Sequence, residues 1–119
     1  MNLTGINLVT LDDLSNEEIE AVFELASEME ENVKTHSDLC SGKIMASLFF
    51  EPSTRTRLSF EASMHRLGGD VITATEFDTT SLAKGESLAD MARVVGSYAD
   101  IIVIRNTWQG AARVVAEYA

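Results

Sequence analysis

An open parallel β-sheet with helices on both faces, a three-layer α/β/α arrangement, is the fold class this sequence predicts. Three observations carry that expectation. Apolar runs of strand length at 43–50, 71–77 and 101–104 alternate with segments of helical periodicity. The first run, KIMASLFF, lacks the in–out alternation of a half-exposed strand and reads as one buried on both faces. A helical segment separates each run from the next, the order that right-handed βαβ crossovers require.

The first helix is expected after Leu14. Ser15 and Glu18 form a capping box, each side chain placed to satisfy an open backbone N–H. Ile19, Val22, Phe23, Ala26 and Met29 then recur at helical spacing, with glutamates opposite. Residues 32–42 are polar and read as a connection. After the first strand and Glu51-Pro52, a second helix places Leu58, Ala62, His65 and Arg66 at helical positions and stops at Gly68-Gly69. Val71–Phe77 is rich in β-branched residues and predicts the second strand. A polar loop at 78–86 follows. Ser87 caps a third helix with Leu88, Met91, Val94, Val95 and Tyr98 as its apolar face. Ile101–Ile104 is the third strand, ended by Arg105, and 110–119 is a last helix through Ala111, Val114, Val115 and Tyr118. Met29, Met45, Met64 and Met91 fall on apolar faces and are read as core.

Composition narrows the function classes. A chain of 119 residues fits one domain. Its net charge of −10 argues against nucleic acid, whose phosphates are held by clustered Lys and Arg. Nine of the 19 acidic residues lie between Asp12 and Glu31, so the excess reads as one solvated helix face. Cys40 is the single cysteine, which rules out an internal disulfide and fits a reducing compartment. His36 and Cys40 are too isolated in the sequence for a metal site, so none is expected, and His65 reads as a satisfied, partly buried side chain. No basic-then-apolar leader opens the chain, and no run approaches the roughly 20 apolar residues that cross a bilayer. A cytoplasmic protein with no membrane partner is the expectation.

The chemistry concentrates in Phe49-Phe50-Glu51-Pro52-Ser53-Thr54-Arg55-Thr56-Arg57, which leaves a buried strand and opens a helix. In open α/β sheets ligands bind beyond the carboxyl ends of the strands. A helix N-terminus there offers open N–H groups and partial positive charge to an anion. Ser53, Thr54 and Thr56 add hydroxyls, and Arg55 adds a planar fork suited to phosphate oxygens. With no glycine-rich loop, the segment is neither a Walker A motif nor a dinucleotide fingerprint. A plain helix cap at Ser53 with solvated arginines fits the same residues. Two further cations favour the anion site. Arg105 ends a parallel strand and so reaches the same sheet edge as Ser53. Lys84, beside Gly85, sits in a loop from which it can swing over a ligand or toward a neighbouring subunit; a solvated loop lysine is the alternative.

Phe50-Glu51-Pro52-Ser53-Thr54-Arg55-Thr56-Arg57-Leu58-Ser59-Phe60-Glu61 resembles the carbamoyl-phosphate signature of the aspartate and ornithine carbamoyltransferases. The resemblance continues through Ser63–Gly68, Ser81–Asp90 and Gly110–Arg113, nearly the whole chain. It implies a carbamoyl-phosphate-binding domain spanning 1–119, incomplete at its C-terminal end and lacking the amino-acid-binding domain. It implies that Ser53, Thr54, Arg55 and Thr56 hold the phosphate, that Arg55 offsets charge on the departing phosphate, and that Thr56 and Arg105 polarise the carbamoyl carbonyl. Ser81 and Lys84 would enter the site of an adjacent subunit of a homotrimer, and Glu51 would bridge to the second domain. Arg57 and Glu61 would support the fold. Carbamoyl phosphate and aspartate are the implied substrates and N-carbamoyl-aspartate the product, in pyrimidine synthesis, with no cofactor.

The string Ser81-Leu82-Ala83-Lys84-Gly85-Glu86 resembles the aspartate branch, where ornithine enzymes usually place Gln near the lysine. An ornithine carbamoyltransferase is one alternative, and a non-catalytic phosphate-binding or interaction module another. The chain departs from the family in having Asn106-Thr107-Trp108-Gln109 where His-Pro usually follows the arginine; Trp108 reads as a half-buried anchor of that turn. It also ends before the family's His-Pro-Thr-Gln segment, so the 119-residue chain alone is expected to bind anions weakly at most and to be inactive as a transferase.

Overall fold

The computed structural model describes residues 3–76 and 87–119. They form α1 (Asn16–Glu31), β1 (Ile44–Phe49), α2 (Thr54–Arg66), β2 (Asp70–Ala74), α3 (Leu88–Tyr98), β3 (Ile101–Arg105) and α4 (Ala111–Tyr118), with short 3-10 turns at Leu11–Asp13 and Val33–His36. The three strands are parallel, in the order β2-β1-β3. The predicted fold class is the observed one.

The sheet is pinned at both ends of β1. Below, the Asp100 N–H donates to the Ile44 carbonyl at 2.8 Å, and the Ile44 N–H donates to Asp100 Oδ2 at 2.9 Å. Above, the Phe50 N–H donates to the Arg105 carbonyl at 2.8 Å, continuing the Phe49–Arg105 register. Met45 through Phe49 are all buried, as the unbroken apolar run predicts. Side chains alternate across a strand. Ala46 and Leu48 join Leu88, Met91, Ala92, Ala111 and Val115 in the core beneath α3 and α4. On the opposite face Phe49 meets Phe60 of α2, their ring centroids 6.4 Å apart.

Caps place the helices where the sequence does. Ser15–Glu18 and Ser87–Asp90 are both complete capping boxes. α2 ends in a Schellman motif: the Gly69 N–H donates to the Met64 carbonyl and the Gly68 N–H to that of His65, both at 3.0 Å. Gly68 carries the positive φ of +87° that this turn requires.

Four expectations are corrected. α1 buries no residue: Val22, Phe23 and Ala26 are exposed and Ile19 and Met29 half-buried, because α1 packs chiefly on the Val33–His36 turn. On α2, Leu58, Ala62 and His65 face outward, and Met64 is the buried residue; the sheet side is partly polar, which apolar periodicity does not register. On α3, Val94 and Tyr98 are exposed and Ala92 is fully buried, in the same core cluster as Leu88 and Met91. β2 begins one residue early and ends at Ala74. Met45, Met64 and Met91 are buried and Met29 half-buried.

Candidate anion site at the strand tips

In the order β2-β1-β3 the chain leaves the central strand for one edge and returns past it to the other. Right-handed crossovers then put α2 and α3 on opposite faces, and a crevice opens between the carboxyl ends of β1 and β3. The loop after β1 and the end of β3 meet at that crevice.

Ser53 occupies the N-cap position of α2 with φ −161° and ψ 59°, yet its hydroxyl does not cap the helix. It accepts a 2.6 Å hydrogen bond from Arg105 Nη1 instead. The first bond of the helix runs from the Arg57 N–H to the Ser53 carbonyl at 2.9 Å. The N–H groups of Thr54, Arg55 and Thr56 thus precede the helical ladder, and no protein acceptor takes them among the described residues. The plain-cap alternative for Ser53 does not describe this geometry. What remains is a row of three open donors at the positive end of a 13-residue helix.

Arg105 is the second component. Its Nε donates to Glu51 Oε1 in a close ion pair, while Nη1 holds Ser53. The Arg105 side chain is 49% exposed and that of Glu51 25%. Glu51 therefore offsets the arginine's charge and keeps the guanidinium turned toward the loop after β1. Arg55 is exposed and has no ion-pair partner among the described residues, so its fork is available to an anion. Thr56 is half-buried and lines a groove of about 810 Å³ together with Phe49, Phe60 and Arg105.

Glu51, Ser53, Thr54, Arg55, Thr56 and Arg105 are thus gathered at one end of the sheet. Ser81 and Lys84 lie outside the described residues. The turn after Arg105 is not built as expected. Trp108 is 56% exposed, and the turn is closed by the Asn106 side chain, whose Oδ1 accepts the Trp108 N–H at 2.9 Å. Asn106 does by local hydrogen bonding what a packed indole was expected to do. The Glu51–Arg105 pair was not foreseen; opposite charges on a strand end and on the loop beyond its neighbour were the available signal.

A second polar cluster lies behind the helix start. Glu61 Oε2 accepts from Thr73 Oγ1 of β2 at 3.1 Å and stands 3.7 Å from Arg57 Nη1. Of the two residues expected to support the fold, Glu61 reaches the sheet and Arg57 pairs with Glu61.

Comparisons with known proteins agree with this fold. The aspartate carbamoyltransferase catalytic subunit of Thermococcus onnurineus is 52% identical over 121 aligned residues, covering all of this chain and 39% of the relative. That of Methanocaldococcus jannaschii is 53% identical over 114 residues, covering 94% of this chain and 37% of the relative. The solved M. jannaschii aspartate transcarbamoylase catalytic subunit superposes with a TM-score of 0.84 at 52% identity, over 92% of this chain and 38% of that one. Aspartate transcarbamoylase from Trypanosoma cruzi, solved in complex with carbamoyl phosphate and aspartate, superposes with a TM-score of 0.82 at 38% identity, over 98% of this chain and 39% of that one. The chain thus spans about two fifths of the length of the relatives it matches. The family described as aspartate/ornithine carbamoyltransferase, carbamoyl-P binding domain, matches residues 7–119, and this chain belongs to it.

Proposed function

We propose that this chain is the carbamoyl-phosphate half of an aspartate carbamoyltransferase, with the dianionic phosphate seated on the opening turn of α2. The observation that carries the proposal is the set of open N–H groups at Thr54, Arg55 and Thr56, flanked by Arg55 and facing a strand tip that carries Arg105. Ser53, Thr54 and Thr56 hydroxyls and the Arg55 guanidinium complete the phosphate contacts. Arg105 and Thr56 polarise the carbamoyl carbonyl, and Lys84 and Ser81 act on the site of an adjacent subunit in a homotrimer. Glu51 serves the closure onto an amino-acid-binding domain.

In the full enzyme the aspartate α-amine attacks the carbamoyl carbon, the C–O bond to phosphate breaks, and N-carbamoyl-aspartate and phosphate leave. The protein's part is to hold two anions in attacking geometry and to stabilise charge growing on the carbonyl oxygen and the leaving phosphate. No cofactor enters this scheme. In this reading the product enters pyrimidine synthesis, and the enzyme works in the cytoplasm. Sequence relatives that carry the same aspartate-enzyme name favour aspartate over ornithine as the amine.

Titration with carbamoyl phosphate followed by ¹⁵N NMR tests the seat directly. Millimolar ligand should shift the amide resonances of Thr54, Arg55 and Thr56 in the 119-residue chain, while no carbamoyl-aspartate forms when aspartate is added. Unshifted amides would refute the seat. Turnover by this chain alone would refute the division of labour between two domains.

A further inference from the structure

α2 is fastened to the sheet by an unusual means. Met64 is its only buried residue, and Glu61, which meets Thr73 of β2, is charged and paired with Arg57. The Glu61 side chain is 17% exposed and that of Arg57 29%. Hydrophobic residues there would bury more apolar area without the desolvation cost of a carboxylate. What the charged residues provide in its place is direction. Ser47 of β1 pairs in register with Thr73 of β2, and Thr73 Oγ1 lies 3.3 Å from the Ser47 carbonyl and 3.1 Å from Glu61 Oε2. Glu61 reaches Arg57 one turn nearer the helix start, and the Arg57 N–H makes the first helical bond to the Ser53 carbonyl. A continuous polar path therefore joins the central strand to the residue that opens the anion seat.

We propose that Glu61, held by Thr73, is a positioning residue for the anion site: with Arg57 it fixes the axis and rotation of α2, and so the aim of the Thr54–Thr56 amides, relative to β1 and Arg105. This rests on the function proposed above and adds the element that sets its geometry. A helix free to pivot about Met64 and Phe60 would keep its fold and lose its aim. Displacements near an ångström are enough to weaken a preorganised site severely.

The test is a phosphate titration of the 119-residue chain read at the amides of Thr54, Arg55 and Thr56, together with urea unfolding of each variant. Glu61→Ala and Thr73→Val are each expected to weaken phosphate binding about tenfold, and the double variant little more than either alone, because both cut one path. Thr73→Ser keeps the hydroxyl and should restore affinity. Met64→Ala is the control: it removes apolar packing from the same helix, and should lower stability while changing affinity by less than about twofold. Should Glu61→Ala fail to fold, the Thr73→Val and Thr73→Ser pair gives the same reading. The proposal is overturned if Glu61→Ala or Thr73→Val affects affinity no more than Met64→Ala does. If the unmodified chain shows no shift at those amides, the anion seat itself fails and the positioning role with it, a separate and recognisable result.

Discussion

Arg105 Nη1 donates a 2.6 Å hydrogen bond to Ser53 Oγ across 52 residues of sequence, while the same guanidinium is paired through Nε with Glu51. An arriving phosphate must therefore share or displace a carboxylate that already faces the arginine. Glu51→Gln removes one negative charge from beside the seat and is expected to tighten phosphate binding about threefold at low salt, since half-exposed ion pairs are worth up to about 1 kcal/mol. Calorimetry at two ionic strengths checks it, because the gain should shrink as salt screens the pair. Arg105→Ala should weaken binding instead.

Ser53 and Ser87 are both N-cap residues, but only Ser87 caps through its side chain. Ser87→Ala should cost about 1 kcal/mol of stability. Ser53→Ala should change stability by less than about 0.5 kcal/mol and weaken phosphate binding. Urea unfolding and calorimetry on the same two proteins separate these effects.

Acid should loosen the start of α3. Hydrogen bonds from the Ser87 hydroxyl and backbone, and then the charge of Arg93, hold the Asp90 carboxyl below its ordinary range. A carboxylate whose folded pKa is depressed contributes stability that is present above its unfolded pKa and lost as pH falls through the folded one. The urea midpoint of the unmodified chain, minus that of Asp90→Asn, should therefore shrink as pH is lowered from the ordinary carboxylate range. A difference that stays constant would assign the cap no charge-dependent part.

Ser47 is fully buried in the middle of β1, and its hydroxyl has no hydrogen-bond partner among the described residues. An unpaired buried polar group costs about 1–3 kcal/mol. Ser47→Ala is expected to raise stability by about 1 kcal/mol in urea unfolding, without altering the anion site.

Gly68 should tolerate no side chain. Its φ is +87°, and a Cβ added there would stand 2.6 Å from the Ser37 carbonyl oxygen. Gly68→Ala is expected to cost 1 kcal/mol or more, about the combined penalty of a left-handed non-glycine residue and a displaced backbone. Urea unfolding reads this loss directly.

The parts of the fold legible in the sequence are those governed by local rules. Ser15–Glu18, Ser87–Asp90 and Gly68-Gly69 marked helix ends because caps and left-handed turns are made within four residues. The unbroken run through Phe49 marked a doubly buried strand because both faces are covered. Periodicity failed where tertiary contact differs from pattern. α1 has an apolar stripe that stays largely exposed, and α2 turns Glu61 inward and Leu58 outward. In the candidate site, the motif picked out residues that the fold gathers at one end of the sheet, but the hydrogen bond that takes Ser53 away from capping joins two distant segments. No spacing rule reports such a bond.

The central position of β1 also sets the order of events during synthesis. Ile44–Phe49 leaves the ribosome before either neighbouring strand exists; its first edge waits for Asp70 and its second for Ile101. Through that interval this apolar segment has both edges open, and non-local pairing of this kind closes slowly. Lys43 on one side and Glu51-Pro52 on the other are then gatekeepers, a charge at each end and a residue unable to donate to an added strand. The turn that later opens the candidate site would thus also protect the nascent polypeptide from its neighbours.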